Sequence, residues 1–158
     1  MSLSEWLDSF GIGLDDVTPI AAALASQGRT TSARTLFVAS RDMAQLADQT
    51  RRLFDGVDFV LSPVLSGSPP PLGHFDMTGT DVTAHLAQMN AMAPNAALAN
   101  VTGFPALVVP FGMDDGLPIG VQLLGPMGSD RALLALGNLL EEMAPKLTYP
   151  YPIAGHPC

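Results

Sequence analysis

The stretch Asn100-Val-Thr-Gly-Phe-Pro-Ala-Leu-Val-Val-Pro-Phe-Gly112, continued by Met113-Asp-Asp-Gly-Leu-Pro-Ile-Gly-Val-Gln-Leu-Leu-Gly125, decides the fold. Ala106 to Phe111 is an apolar run rich in β-branched residues, the composition of a strand covered on both faces. Ile119 to Leu124 is a second such run. Between them Asp114-Asp115-Gly116 is a turn signal, with Gly116 free to adopt positive φ. The pattern is therefore that of a hairpin of two antiparallel strands. Pro105, Pro110 and Pro118 are placed near strand ends, where a missing N–H disturbs the ladder least.

Working outward, periodic helices surround this hairpin. Leu3 to Phe10 reads as a short helix in which Trp6 and Phe10 are i, i+4 packing neighbours. Thr18-Pro19 is a helix entry, and that helix is expected to stop at Gly28. Thr31 opens the longest pattern, reaching Phe54. Leu36, Phe37, Met43, Leu46, Ala47, Leu53 and Phe54 recur as one apolar stripe, with Arg41, Asp42, Asp48, Arg51 and Arg52 on a solvated face. Val57 to Ser62 is a third compact strand that Pro63 should break. A loop rich in Pro, Ser and Gly follows to about Gly79; loops this long inside a compact domain are often functional. Thr80 or Asp81 caps a helix through Met92, and Pro94 begins a short one ending near Asn100. Ser129 is a suitable N-cap for a last helix to about Ala144, whose Leu133, Leu134, Leu140 and Met143 should form its buried stripe. Residues 145–158, with four prolines, are expected to be an extended tail.

These letters and spacings resemble the C-terminal part of the amidase signature family. The resemblance rests on Asn100, Gly103, Pro105, Ala106, Val109, Pro110 and Gly112, then Gly116 to Gly120, Gln122 and Gly125. The segment Phe54 to Pro63 is similar to the aspartate, short apolar strand and proline-rich loop of that family, with Ser-Pro where Thr-Pro is more usual. The resemblance spans roughly residues 14 to 142 and implies an α/β fold: a small mixed β-sheet flanked by helices, within an α/β/α sandwich. Residues 1–158 are read as one domain.

The resemblance also says what chemistry to look for. Family members hydrolyse carbon–nitrogen amide bonds with a serine nucleophile, a second serine on a cis peptide and a lysine base, without a cofactor. That mechanism needs an activated hydroxyl and backbone N–H groups aimed at an oxyanion. The paired-serine, glycine-rich stretch is missing here. The only lysine is Lys146, in the tail, where an exposed charge is the ordinary reading; the nearest serine-glycine run is Leu65-Ser66-Gly67-Ser68. No nucleophile-elbow motif pairs a serine with His74, His85 or His156. His74 and Asp76 fall short of a metal site, so no metal is assigned. No residue of the chain is assigned as catalytic. By resemblance it supplies one wall of the substrate pocket, with Pro63, His74, Phe75, Met92 and Asn100 as lining candidates. Asn100 has the competing role of satisfying backbone at a helix end. The family's glutamine-using branch carries an aspartate seven residues before the Asn-x-x-Gly. Here that position is Ala93, which directs the expectation toward a more apolar amide.

Composition narrows the partners. Fifteen acidic against seven basic residues leave a net charge of −8, which disfavours nucleic acid and anionic membrane surfaces. No apolar run approaches the ~20 residues of a membrane span. The N-terminus lacks a signal-peptide pattern, and Cys158 is the single cysteine, so a cytoplasmic protein is expected. At 47% hydrophobic and only 14% charged residues, part of the surface is expected to be covered by another chain. Three functions fit: an inactive C-terminal fragment of an amidase acting on a small-molecule amide, one chain of a split amidase completed by an N-terminal half, or a non-catalytic interaction or small-molecule-binding module. Self-association is expected in the isolated chain.

Overall fold

The computed structural model describes residues 3–145. The hairpin forms as its sequence predicts. β2 (Ala106–Asp114) and β3 (Leu117–Leu124) are antiparallel and joined by Asp115 and Gly116 alone. Both linking residues have positive φ, 48° and 79°, the left-handed pair that a tight hairpin connection matched to strand twist requires. The ladder slips at Phe111, between the pairs Pro110–Gly120 and Gly112–Ile119, which lets an extra residue bulge out.

β1 (Val60–Pro63) joins β3 on its other side, giving the order β1-β3-β2; among the described residues the sheet is antiparallel throughout rather than mixed, since both strands that flank β3 run against it. Two expectations about β1 are corrected. It begins at Val60 rather than Val57, because β3's ladder ends at Leu124, opposite Val60. Pro63 does not break the strand but closes it, paired with Val121 on an edge where a missing donor does little harm. Pro118 is tolerated for a related reason: β1 reaches only Val121–Leu124, so Pro118 lies beyond the three-stranded part.

α6 (Asp130–Met143) packs on β2 and β3. Val109, Leu123, Leu124, Leu133 and Phe104 are the buried core. Gly137 is the closest approach of helix to sheet, since a Cβ there would run into the Leu107 side chain. The expected stripe of α6 is thus rotated: Leu133 is buried, whereas Leu134 and Met143 are 58% and 66% exposed. Ser129 sits at the N-cap position, yet its Oγ makes no cap bond and is buried without a partner among the described residues. Gly125 lies against that hydroxyl; a Cβ there would also come within 3.1 Å of the Phe59 ring and 3.2 Å of Leu133.

A second, smaller cluster joins α1 (Leu3–Ser9) and α2 (Pro19–Thr30) through Leu7, Ile20 and Ala25. Trp6 and Phe10 meet with ring centroids 5.0 Å apart. α2 runs through Gly28 to Thr30, past the expected stop, and Arg29 on the added turn reaches Asp8 at 3.0 Å.

α3 (Ala33–Leu53) starts where Ser32 Oγ accepts from the Thr35 N–H at 3.1 Å. Its charges behave as read: Asp48 accepts from Arg52 at 2.8 Å and from Arg51 at 3.4 Å, all exposed. Its apolar stripe does not. Leu36 and Phe37 are 63% and 72% exposed, and only Thr50 of the whole helix is buried. The helix is held at its C-terminal end, by contact with α5 (Ala96–Thr102) and by Phe54 stacked on Phe104 at 5.7 Å.

Candidate functional site

Beyond Pro63 the chain crosses the end of the sheet, and its course follows from where its polar groups find partners. The Ser66 N–H donates to the Met92 carbonyl at 2.8 Å, and Ser66 Oγ donates to the Ala91 carbonyl at 2.8 Å. These bonds tie the loop to the end of α4 (Val82–Met92). Val64 N–H donates to the Gly120 carbonyl at 3.3 Å, extending the β1–β3 contact by one rung. Ser68 Oγ donates to Asp114 Oδ2, joining the loop to the hairpin tip.

Gln122 sits behind this loop. It is a buried polar residue in the middle of an apolar strand, and its Nε2 donates to the Asn95 carbonyl at 3.3 Å. Asn95 Nδ2 in turn donates to the Pro63 carbonyl at 3.2 Å. The two amides link β3, the start of α5 and the end of β1, satisfying groups that would otherwise be desolvated without partners. In the sequence Gln122 stands out only as a motif letter. The available signal was a glutamine inside a β-branched run, a place where polar side chains are found when they are bonded.

Loop and hairpin together enclose an open groove of about 690 Å³. Its walls are Val64, Leu65 and Pro69 on one side and Val108, Met113 and Ile119 on the other, with Pro63 at the strand end. This volume falls in the usual range for a small-molecule site, as does an apolar lining with few polar groups.

The other expected wall residues are distributed differently. Met92 contributes its carbonyl to the loop anchor and stands behind the groove rather than in it. His74 and Phe75 belong to a separate cluster. The rings of His74 and Phe75 meet edge-on at 5.0 Å, Phe75 faces His85 at 6.1 Å, and Gln88 Nε2 donates to the His74 carbonyl at 3.2 Å. This cluster borders a smaller cavity of about 300 Å³ lined by Ile20, Asp76, Asp81, His85 and Gln88. Asn100 is exposed in the last turn of α5 and lines neither cavity. Its alternative role as a helix end is corrected too: the helix runs on to Thr102 and is closed by Gly103 in the left-handed conformation, with φ 74°.

The electrostatics near the smaller cavity are explained locally. The Thr78 hydroxyl, then the backbone N–H groups of Thr78 and Gly79, bond the Asp76 carboxylate and hold its pKa below the ordinary aspartate value, with nearby His85 adding a little. Asp81 caps α4, accepting from the Ala84 N–H at 3.0 Å. Among the described residues no group of three His, Cys, Asp or Glu side chains is gathered as a metal site requires. The Ser66 and Ser68 hydroxyls are engaged with Ala91 and Asp114 rather than with a histidine. Lys146, His156 and the tail from 146 onward lie outside the described residues.

Against known proteins, the family model described as Amidase matches residues 15–134. AmiA2 of Mycobacterium tuberculosis, which carries an amidase name, is 37% identical over 147 residues, covering 90% of this chain and 29% of its own length. The 2-amino-5-chloromuconic acid deaminase of Comamonas testosteroni is 39% identical over 93 residues, covering 58% of this chain and 19% of its own. Among solved structures, 6-aminohexanoate cyclic dimer hydrolase in complex with substrate superposes with a TM-score of 0.80 at 23% identity, over 92% of this chain and 33% of that one. The chain thus spans about a third or less of the length of each of these relatives.

Proposed function

The chain belongs to the amidase family, and from that premise we propose that it forms one wall of the substrate groove of an amide hydrolase. The serine nucleophile and the lysine base of that hydrolase lie outside these 158 residues. The observation that carries this reading is the open groove between the Pro63–Pro69 loop and the hairpin. It offers apolar surface and a loop fixed by five hydrogen bonds to its neighbours, but no serine whose hydroxyl is free to be activated. Positioning of this kind is how a wall contributes to catalysis, by holding the reacting bond in a fixed orientation.

The substrate is read as an amide with a more apolar body than glutamine. Ala93, at the position where glutamine-using relatives are expected to carry an aspartate, closes α4 as its C-cap and cannot pair with an ammonium. The partner is read as the remainder of an amidase fold, or in its absence a second copy of this chain. The net charge of −8 argues against nucleic acid, and no described helix is long and apolar enough to cross a membrane.

The test is direct. The purified 158-residue chain, given a panel of alkyl and aryl amides, is expected to hydrolyse none above background. The deficit relative to a complete enzyme is on the order of a millionfold, as when a whole catalytic triad is removed. Turnover that survives repurification and disappears with Ser66→Ala or Ser68→Ala overturns the proposal. A second reading, a non-catalytic binding module, is favoured by the groove being formed by this chain's residues alone. A continuous upstream reading frame encoding paired serines and a lysine argues against that second reading.

A further inference from the structure

Deepening the reading of the groove as an amide-binding wall, we infer that it takes a small molecule with an apolar body and a cationic end, an ω-amino amide, whose ammonium is received by Asp114. The groove follows β3 from the level of Pro63, opposite Val121, to Asp114, opposite Leu117. At ~3.3 Å per strand residue this is about 13 Å, the reach of an extended alkyl chain rather than of a compact ring. Along that length the lining is Val64, Val108, Pro110, Met113 and Ile119, which offer methyl and methylene groups and nothing that selects by charge.

Polarity is confined to one end. Of the polar side chains that line the groove, Ser66 is turned to the Ala91 carbonyl and Ser68 donates to Asp114. Among the described residues Asp114 is the only ionisable group of the lining, and no basic side chain faces it there. A carboxylate accepts about four hydrogen bonds, so one from Ser68 leaves capacity for a donor from a ligand. The Ser68 bond also holds the carboxylate in place at the groove mouth, while Asp115 and the overall charge of −8 add to the negative potential there. Affinity therefore comes from the methylenes and selectivity from Asp114: a cationic tail is favoured, a neutral one accepted and an anionic one refused.

Chemical-shift titration of the 158-residue chain with octanamide, its ω-amino derivative and its ω-carboxy derivative tests this. The ω-amino compound is expected to bind about fivefold tighter than octanamide at low salt, the size of an exposed ion pair. The gain shrinks as salt screens it, and the ω-carboxy compound binds weaker than octanamide. Asp114→Asn, which keeps an acceptor for Ser68, should abolish the fivefold preference and leave octanamide unchanged. Val108→Phe, which fills the groove from an exposed strand position, should weaken all three. If the amino and neutral compounds bind alike, or Asp114→Asn leaves the preference intact, the cationic assignment fails while the groove reading stands. If no amide produces shifts that Val108→Phe diminishes, the groove reading itself fails.

Discussion

The hairpin with α6 and the long helix α3 carry equally regular apolar patterns and end in opposite states. In the first, Val109 and Leu133 are 2% and 3% exposed, and helix and sheet approach closely at Gly137. In the second, twenty-one residues of amphipathic helix leave Leu36 and Phe37 in solvent and attach only near Phe54. The difference teaches that hydrophobic periodicity states that a face is to be buried, not which chain buries it. The hairpin finds its cover fewer than twenty residues further on. The N-terminal half of α3, with Leu36 and Phe37, has none among the described residues, in a chain that spans about 29% of a relative's length. A contiguous exposed stripe of this kind usually marks a contact.

Stability measurements can break this contrast. Leu133→Ala, in the covered region, should lower unfolding stability by about 2–5 kcal/mol, since it removes a fully buried side chain and leaves a cavity. Chemical denaturation reads it, and a loss below about 1 kcal/mol would mean that this core is as loosely held as α3. Gly125→Ala should cost about 1–3 kcal/mol by overpacking against Ser129, Phe59 and Leu133. An unchanged denaturation midpoint would show that the contact relaxes.

Phe37→Glu sharpens the other side. Compared as monomers, at concentrations below self-association, parent and variant should differ in unfolding stability by no more than about 0.5 kcal/mol, as for ordinary surface substitutions. Sedimentation at low micromolar concentration is expected to show the parent chain as a dimer or larger and this variant shifted towards monomer. A monomeric parent with no dye-binding apolar surface would remove the stripe from the interface and favour an independent module.

The smallest effect is a pH dependence. The Asp76 pKa is lowered in the folded chain, so the unfolded chain binds a proton more readily and stability falls with acid. Its contribution is complete above about pH 5 and is lost as pH falls through the ordinary aspartate value near 3.9 toward the lowered one. Asp76→Asn should flatten that part of the profile, and an identical acid limb in both proteins would show that the Thr78 and Gly79 bonds do not persist in solution.

Much of the fold was legible because its signals are local. Asp115-Gly116 demands a left-handed connection, and Asp81 caps a helix through a bond to the residue three further on, whereas the cap of α3 falls on Ser32, one residue past the expected Thr31. The misreadings share one cause: each depends on a neighbour remote in sequence. β1 starts at Val60 because its partner ends at Leu124, and α6 turns Leu133 rather than Leu134 inward because Leu107 and Val109 meet Gly137. The candidate site was less legible. Pro63 marks the start of a loop in the sequence, but His74 and Phe75, which the resemblance places on the same wall, are held by Gln88 and His85 at the border of the smaller cavity.

The sequence by itself determined the family, the hairpin and the absence of a paired-serine nucleophile, because these are properties of residue identity and short spacing. Only the tertiary structure decided that Gln122 and Asn95 brace the loop, that Ser68 meets Asp114 at the groove's end, and that Leu36 and Phe37 of α3 stay exposed. Those outcomes rest on hydrogen bonds and burial between residues about thirty to fifty positions apart. The cost of closing such loops rises only slowly with their length, so sequence separation does not reveal which distant partners will meet.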